Sequence, residues 1–236
     1  MKKPVEYREN RTSFLGREIY IDSGAHIPRP STEFIAQHYV DYLNQFTSPI
    51  TVADIGTGTG VLALTFISDC KEVEKVYATE FYDDALSVAK KNIDKYEVAD
   101  KVLLFKGNLF EPIKTKKVNV IFANLPFASE EKMKNLRPSV KNYEPLTGIS
   151  GGQTGFELYE SLFAQLKSYE YMETLDGIWI FCSKDHIPKV KKYHKSQFPN
   201  FNLQIFGDKF KEYYAHCLLS REIFSPVRYI EKVLTR

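Results

Sequence analysis

The sequence of 236 residues is poor in cysteine, nearly balanced in charge and without long apolar segments. Its three cysteines, Cys70, Cys182 and Cys217, are widely spaced and odd in number, and the five histidines show no ligand spacing, so we expect reduced core thiols and no metal site. A formal net charge of +2 is too small to indicate a nucleic-acid or membrane partner by itself. No apolar run approaches the ~18 to 20 residues that cross a bilayer. We therefore expect a cytoplasmic protein without membrane contact.

Short β-branched runs alternate with longer helical patterns from residue 50 onward. The alternation predicts an α/β fold with a doubly wound, mostly parallel sheet. Two last strands, 201–208 and 215–223, are joined by a link too short for a crossover helix, so we expect an antiparallel pair at the sheet edge and seven strands in all. The other predicted strands are residues 51–55, 75–80, 101–106, 118–124 and 177–183, with helices beginning near Val61, Asp83, Phe156 and Ile187.

The segment ahead of the sheet contains a predicted hairpin and a predicted helix. Residues 12–24 alternate around Gly16 in the manner of a β-hairpin. Residues 26–46 pass through two prolines into a helix, for which we predict Ser31 or Thr32 as the N-terminal cap because a hydroxyl can accept from the first free N–H groups. No low-complexity linker separates this segment from the sheet.

The stretch VADIGTGTGVLAL reads as a strand, a glycine turn and the start of a helix. Gly56, Gly58 and Gly60 allow a tight turn and the close approach of a ligand, and Glu80 ends the next strand, where a carboxylate can accept from both ribose hydroxyls. A structural turn without a ligand is the alternative, but together with Asp54 the pattern favours a nucleoside site. The GxGxG spacing, unlike the GxGxxG of dinucleotide sites, favours S-adenosylmethionine over NAD.

A second pattern, VIFANLPF, places an amide, a proline and an aromatic ring directly after an apolar strand. A planar amide or aromatic amine has two N–H groups, which the Asn124 side-chain oxygen and the Leu125 carbonyl can hold while Phe127 packs on the flat face. Such positioning is most of what a methyl transfer to nitrogen requires. In the alternative interpretation, Asn124 only ends the strand and Phe127 belongs to the core.

The order of these motifs resembles that of a known enzyme family. The fragments HIPRPSTE, ADIGTGTG, GNLFEP, NLPF and NYEPLTGISGGQTGFELY, followed by the closing strand pair, resemble the HemK-type protein-glutamine N5-methyltransferases over roughly residues 12–222. These are class I S-adenosylmethionine-dependent methyltransferases, and the resemblance implies methylation of a glutamine in a release-factor-like protein. It also implies a division into residues 1–30, the hairpin and substrate-side segment, and residues 31–236, the catalytic domain.

The resemblance implies roles for individual residues. The implied catalytic residues are Asn124, Leu125, Pro126 and Phe127. The implied cofactor-binding residues are Arg29, Asp54, Gly56, Thr57, Gly58, Gly60, Glu80, Asn108, Leu109 and Asn124. The implied acceptor pocket is formed by His26, Pro28, Arg29 and Phe127.

Three residues depart from the family pattern. Leu125 replaces a second proline, Asn108 replaces an aspartate, and His26 replaces a large apolar residue, so His26 either contacts the substrate or is a packed or solvated side chain. NLPF also resembles the NLPY motif of ribosomal RNA adenine dimethylases, so an adenine of RNA or DNA is an alternative acceptor, although the IPRPxTE block favours glutamine. A cofactor-binding module without activity is a third hypothesis.

Three further features bear on partners. The resemblance begins at the hairpin and does not include the family's N-terminal helical domain; we therefore expect either a homo-oligomer whose partner chain covers the acceptor pocket, or a substrate other than a full-size release factor. The tripeptide GGQ at residues 151–153 matches the family's own glycine turn, and we interpret its likeness to release factors as coincidence. The basic run 184–195 lies on a predicted helix as a solvated face or an RNA contact.

Overall fold

The protein is represented by a computed structural model, which describes residues 2–169, 171, 175–207 and 214–224. The strands are β1 Arg11–Phe14, β2 Arg17–Tyr20, β3 Ile50–Ile55, β4 Val73–Glu80, β5 Val102–Lys106, β6 Val120–Ala123, β7 Gly177–Ser183, β8 Asn202–Gly207 and β9 Tyr214–Ser220. The helices are α1 Val5–Glu9, α2 Pro30–Leu43, α3 Val61–Asp69, α4 Asp83–Lys95, α5 Glu130–Lys134, α6 Pro138–Tyr143, α7 Glu157–Ser168 and α8 Ile187–Gln197. Short 3₁₀ turns cover Glu111–Ile113, Leu146–Gly148 and Lys184–His186.

Seven strands form one sheet in the order β5-β4-β3-β6-β7-β9-β8. The first five are parallel, and β9 runs antiparallel to both β7 and β8. This confirms the predicted seven-stranded, doubly wound α/β fold with an antiparallel pair at its edge. The link predicted between the two last strands lies outside the described residues. Because the strand order reverses between β3 and β6, a crevice forms there at the carboxyl ends of the strands, where open α/β sheets bind ligands.

Alternate residues of the central strands face two separate hydrophobic cores. Val52 and Trp179 pack into one core with helices α2 and α3, whereas Ala53 and Ile178 pack into the other with helix α7. Both faces of the parallel strands are therefore buried, which explains why these strands are apolar throughout rather than alternating.

The N-terminal segment packs against helix α4. The predicted hairpin is present as β1 and β2, and Asn92 of α4 accepts from the Tyr20 N–H at 2.7 Å and donates to the Tyr20 carbonyl at 3.0 Å. Helix α1, which the sequence analysis did not predict, places Tyr7 in a third cluster with Ile21. The division at residue 30 remains a prediction.

The prediction of the helix α2 cap is wrong. The helix begins at Pro30 with Arg29 as the flanking residue, so Ser31 and Thr32 lie inside its first turn. Proline is suited to the first helical position because its missing N–H would have no partner there. Several strand bounds also differ from the prediction, by one to three residues. Strand β6 ends at Ala123, which leaves Asn124 just beyond the sheet, and the short helices α5 and α6 were not predicted. No helix in the described ranges is long and apolar enough to cross a membrane.

Candidate active site

The glycine turn between β3 and α3 lies at the crevice of the sheet. Gly56, Gly58 and Gly60 have φ angles of 73°, 58° and 80°, a left-handed conformation that side-chain-bearing residues adopt at a cost. A β-carbon on Gly58 would meet nothing within 4 Å, so the turn borders open space. The N–H groups of Gly56 and Thr57 both donate to the Thr79 carbonyl at 2.9 Å, which ties the turn to strand β4. The glycine turn is thus held by strand β4 on one side and open at Gly58.

The buried Asp54 side chain hydrogen-bonds to this turn. Its side chain is 1% exposed, and Oδ2 accepts from the Thr57 hydroxyl at 2.6 Å. Burial raises the Asp54 pKa to about 6, although the bonds from Thr57 and the Ala63 N–H oppose the shift. The structure therefore brings Asp54 and Thr57 into contact with each other, and their direct contact with the cofactor remains a prediction.

Glu80 lies at the end of β4 with its carboxylate facing the turn. Oε2 accepts from the Gly58 N–H at 3.0 Å, and Oε1 accepts from the N–H groups of Phe81 and Tyr82 at 2.8 and 3.0 Å. A carboxylate offers about four acceptor sites, so capacity remains for a ribose hydroxyl. The predicted partnership of the glycine turn with Glu80 is therefore present in the structure.

Two aromatic residues beside Glu80 were not found from the sequence. Phe81 and Tyr82 are 57% and 43% exposed, and their rings meet edge to face with centroids 5.2 Å apart. Large apolar rings are normally buried, so exposed rings next to the predicted nucleoside site are candidates for stacking on a base. Because Phe81 and Tyr82 directly follow Glu80 in the sequence, they could have been predicted as contacts of the base.

Asn108 and Leu109 lie on the other side of Glu80, after strand β5. The Gly107 N–H donates to the Glu80 carbonyl at 2.9 Å, which ties this loop to β4. The Asn108 side chain is exposed, whereas Leu109 is buried with a left-handed φ of 54°. The loop thus lies next to Glu80, and the contact of Asn108 and Leu109 with the cofactor remains a prediction.

The Asn124–Phe127 segment follows β6 at the same edge of the sheet. Asn124 is partly exposed, and its side chain hydrogen-bonds to none of the residues that the structure describes. Leu125 is buried, and its side chain rests on the glycine turn: a β-carbon on Gly56 would lie 2.8 Å from Leu125 Cδ2. The predicted cofactor loop and the predicted acceptor motif are therefore direct neighbours.

A second glycine turn, at residues 151–155, packs against the backbone of the Asn124–Phe127 segment. A β-carbon on Gly151 would lie 2.6 Å from the Pro126 oxygen and 2.7 Å from the Phe127 Cα. A β-carbon on Gly155, which has φ of 82°, would lie even closer to the Phe127 carbonyl oxygen. The tripeptide GGQ therefore belongs to a turn whose glycines let two backbone segments pack closely.

The Phe127 ring is partly buried and packs edge to face on two rings. Its centroid lies 5.4 Å from that of Phe181 and 5.8 Å from that of Tyr214. These contacts hold the ring at the carboxyl edge of the sheet, because Ser183 at the end of β7 pairs with Tyr214 at the start of β9. Contact of the Phe127 ring with an acceptor remains a prediction.

His26 and Arg29 both contact a buried carboxylate that the sequence analysis missed, that of Glu144. The Glu144 side chain is 2% exposed; His26 Nδ1 lies 2.6 Å from its Oε2, and Arg29 Nη2 donates to its Oε1 at 2.5 Å. Burial disfavours the charged carboxylate, but His26 and Arg29 outweigh it and lower the Glu144 pKa. Pro28 lies between them, partly buried. Contact of His26 and Arg29 with a ligand remains a prediction.

The basic run lies on the 3₁₀ turn before α8 and on α8 itself. Lys189 Nζ donates to the Thr154 hydroxyl at 2.7 Å and lies 3.6 Å from Glu160, so this lysine helps to attach α8 to α7. Lys192 and Lys195 are exposed. An RNA contact by this run remains a prediction. In the described ranges, no three His, Cys, Asp or Glu side chains are grouped in a way that could hold a metal ion.

Comparison with known proteins identifies the family of this chain. The family described as "Methyltransferase small domain" matches residues 32–138. The release factor glutamine methyltransferase of Staphylococcus aureus is 31% identical over 208 residues, which are 87% of this chain and 72% of that protein. The enzyme of the same name from Clostridium acetobutylicum is 30% identical over 70% of this chain and 58% of its own length. The ribosomal protein uL3 glutamine methyltransferase of Francisella tularensis is 28% identical over 72% of this chain and 54% of its own length.

Solved structures agree on the fold. The catalytic domain of hMettl16, in complex with an RNA hairpin, superposes with a TM-score of 0.67 at 18% identity, over 94% of this chain and 91% of that one. This likeness shows the fold alone, because the identity is low. The sequence relatives carry the assignment further: the chain belongs to the release factor glutamine methyltransferase family, within the S-adenosylmethionine-dependent methyltransferases.

Proposed function

We propose that this protein methylates the side-chain amide of a glutamine in a protein, with S-adenosylmethionine as the methyl donor. The observation that carries the proposal is the position of the Asn124 side chain. It makes no bond to a described residue, and it lies beside the glycine turn, which is open toward the crevice at the carboxyl ends of β3 and β6. The named activities of the relatives from S. aureus and F. tularensis support glutamine as the acceptor and a release factor or ribosomal protein as the substrate.

The residues of the crevice fit the proposed cofactor. The open space above Gly58 can receive the ligand, Glu80 retains acceptor capacity for a ribose hydroxyl, and Phe81 offers an exposed ring for the base. When bound, S-adenosylmethionine supplies a methyl group on a positively charged sulfur. The chain's own task is to position the acceptor nitrogen against it, which is the main source of catalysis in such a transfer.

Asn124 and Leu125 would hold that nitrogen. The Asn124 side-chain oxygen can accept from one N–H of the amide, and the Leu125 carbonyl can accept from the other. The Tyr159 hydroxyl lies 3.4 Å from the Leu125 oxygen, longer than an ordinary O–H···O hydrogen bond, so this carbonyl retains capacity for a substrate. Both oxygens would also stabilise positive charge that develops on the nitrogen. Phe127 would support the flat face of the amide.

A methyl-transfer assay with acceptors offered in parallel tests the proposal. Labelled S-adenosylmethionine is supplied with a release factor, ribosomal protein uL3, free RNA and free DNA, and each protein is also offered with the candidate glutamine changed to asparagine. We expect label on a protein and none on its asparagine variant, with mass spectrometry placing one methyl group on glutamine. Label on an adenine of RNA or DNA would replace the proposal with the nucleic-acid alternative. Binding of S-adenosylmethionine without transfer to any acceptor would favour the non-catalytic module.

A homo-oligomer remains a prediction for this protein. Light scattering coupled to size-exclusion chromatography would measure the molar mass directly. A mass equal to that of one chain, 27.3 kDa, would reject it.

A further inference from the structure

We infer that Tyr159 is a positioning residue, whose buried hydroxyl sets the backbone that presents Asn124 to the acceptor. The inference rests on the proposed function, because it assigns a role in the same site. It starts from the one residue in the motif that departs from the family's second proline. Leu125 has a backbone N–H that proline lacks, and in this protein that N–H is buried and needs an acceptor.

Tyr159 provides this acceptor. It lies on α7, its side chain is fully buried, and the Leu125 N–H donates to its hydroxyl oxygen at 3.2 Å. Sheet pairing cannot satisfy the Leu125 N–H, because the ladder between β6 and β7 ends at the pair Ala123–Ile180. Without the hydroxyl, a buried donor would be left unpaired, which is costly.

The direction of the bonds follows from the single proton of the hydroxyl. The hydroxyl makes a short contact with the Phe181 carbonyl and a 3.4 Å contact with the Leu125 carbonyl, so the proton goes to Phe181 and the oxygen accepts from Leu125. Tyr159 thereby connects the end of β6 to β7 by a side chain, beyond the point where the backbone ladder stops. Burial raises the Tyr159 pKa well above its ordinary value, so the phenol keeps this proton.

The turn before α7 restrains the Asn124–Phe127 segment on a second side. The turn that leads into α7 packs Gly151 and Gly155 against the backbone of Pro126 and Phe127. The hydroxyl of Tyr159 holds Leu125 from within the core. Asn124 has no side-chain bond to a described residue of its own, so its position depends on how firmly Leu125 is held.

The test is Tyr159→Phe with Tyr39→Phe as the matched control. Tyr39 is also fully buried, and its hydroxyl has no hydrogen-bond partner among the described residues, so its removal changes no bond. We expect amide hydrogen exchange at Leu125, measured by NMR, to become about 10-fold faster or more in Tyr159→Phe and to stay unchanged in Tyr39→Phe. We expect kcat to fall by about 10-fold, with the KM for S-adenosylmethionine nearly unchanged.

A double variant identifies the group that Tyr159 holds. Leu125→Pro removes the N–H that loses its acceptor, so adding it to Tyr159→Phe should restore most of kcat. It also provides a variant without the unpaired donor if Tyr159→Phe alone folds poorly. A double variant as slow as Tyr159→Phe would overturn the inference, as would unchanged exchange at Leu125. If the wild type transfers no methyl group to glutamine, the proposed function fails, and the exchange at Leu125 still decides whether Tyr159 holds this segment.

Discussion

Leu125 Cδ2 lies against the backbone of Gly56, so that a β-carbon on Gly56 would be only 2.8 Å away. This contact joins the segment that should hold the acceptor to the turn that should hold the cofactor. A larger residue at position 56 would therefore displace the Leu125 side chain, because well-packed neighbours transmit displacement.

Gly56→Ala should therefore weaken both cofactor binding and turnover. The change adds a clash with Leu125 and places alanine at φ of 73°, which costs about 1 to 2 kcal/mol for the backbone alone. Gly16→Ala is the matched control, because Gly16 has φ of 77° in the hairpin and no atom within 4 Å of its β-carbon position. We expect titration calorimetry with S-adenosylhomocysteine to show at least a tenfold loss of affinity for Gly56→Ala and none for Gly16→Ala. Equal affinity of Gly56→Ala and wild type would contradict the contact.

Asn124→Ala should separate catalysis from cofactor binding. The side chain makes no bond to a described residue, so the fold should be nearly intact. Because the proposal gives its oxygen to the acceptor nitrogen, the affinity for S-adenosylmethionine should change much less than the rate. Removing one oriented acceptor from a preorganised site typically lowers the rate ~10²- to 10³-fold, about 3 to 4 kcal/mol. The measurement is single-turnover methylation at saturating cofactor, with Asn135→Ala, an exposed asparagine at the end of α5, as control. Equal single-turnover rates would remove Asn124 from the mechanism.

Glu80→Gln should have the opposite pattern. In glutamine an NH₂ group, which only donates, replaces one carboxylate oxygen that accepts from backbone N–H groups. The change should weaken both the glycine turn around Gly58 and the site for a ribose hydroxyl. A hydrogen bond to a charged group contributes about 1.5 to 3 kcal/mol, so we expect roughly a 10- to 100-fold loss of cofactor affinity. Turnover at saturating cofactor should change much less. Glu74→Gln, at an exposed position of the same strand, should leave the affinity unchanged. A normal affinity in Glu80→Gln would refute the assignment.

Stability should fall at mildly acidic pH because of His216. Its imidazole is fully buried on β9 with neither ring nitrogen bonded to a described residue, and burial, aided by the neighbouring His38, lowers its pKa well below the usual 6.5. Below about pH 6.5 the unfolded chain binds a proton that the folded protein does not, so stability decreases as pH falls, by up to about 1.4 kcal/mol per pH unit.

His216→Phe tests the origin of this effect. The variant cannot be protonated, so its free energy of unfolding should depend less on pH than that of the wild type between pH 6.5 and 5. Urea denaturation at several pH values measures the difference. His194→Phe is the control, because His194 lies on α8 and is only partly buried. Parallel pH curves for wild type and His216→Phe would show that another group causes any acid sensitivity.

Local patterns were sufficient for the main strands and helices. The apolar runs of β3, β4, β6 and β7 are continuous because both faces of these strands are buried, and such runs are visible in the sequence. Helices α1, α5 and α6, with five or six residues each, are too short to show a helical period, so they were missed. The cap of α2 was placed too late because the preference for hydroxyl caps competed with that of Pro30 for the first turn.

The sequence by itself determined the fold class, the glycine turn with Glu80, and the Asn124–Phe127 segment, because each depends on residues close together in the chain or on strand ends that a parallel sheet must bring to one edge. Only the tertiary structure showed that Arg29 and Glu144, 115 positions apart, form an ion pair, and that Tyr159 holds Leu125 from 34 positions away. Contacts of this kind depend on the packing of whole helices and loops against the sheet, which no local pattern of residues encodes.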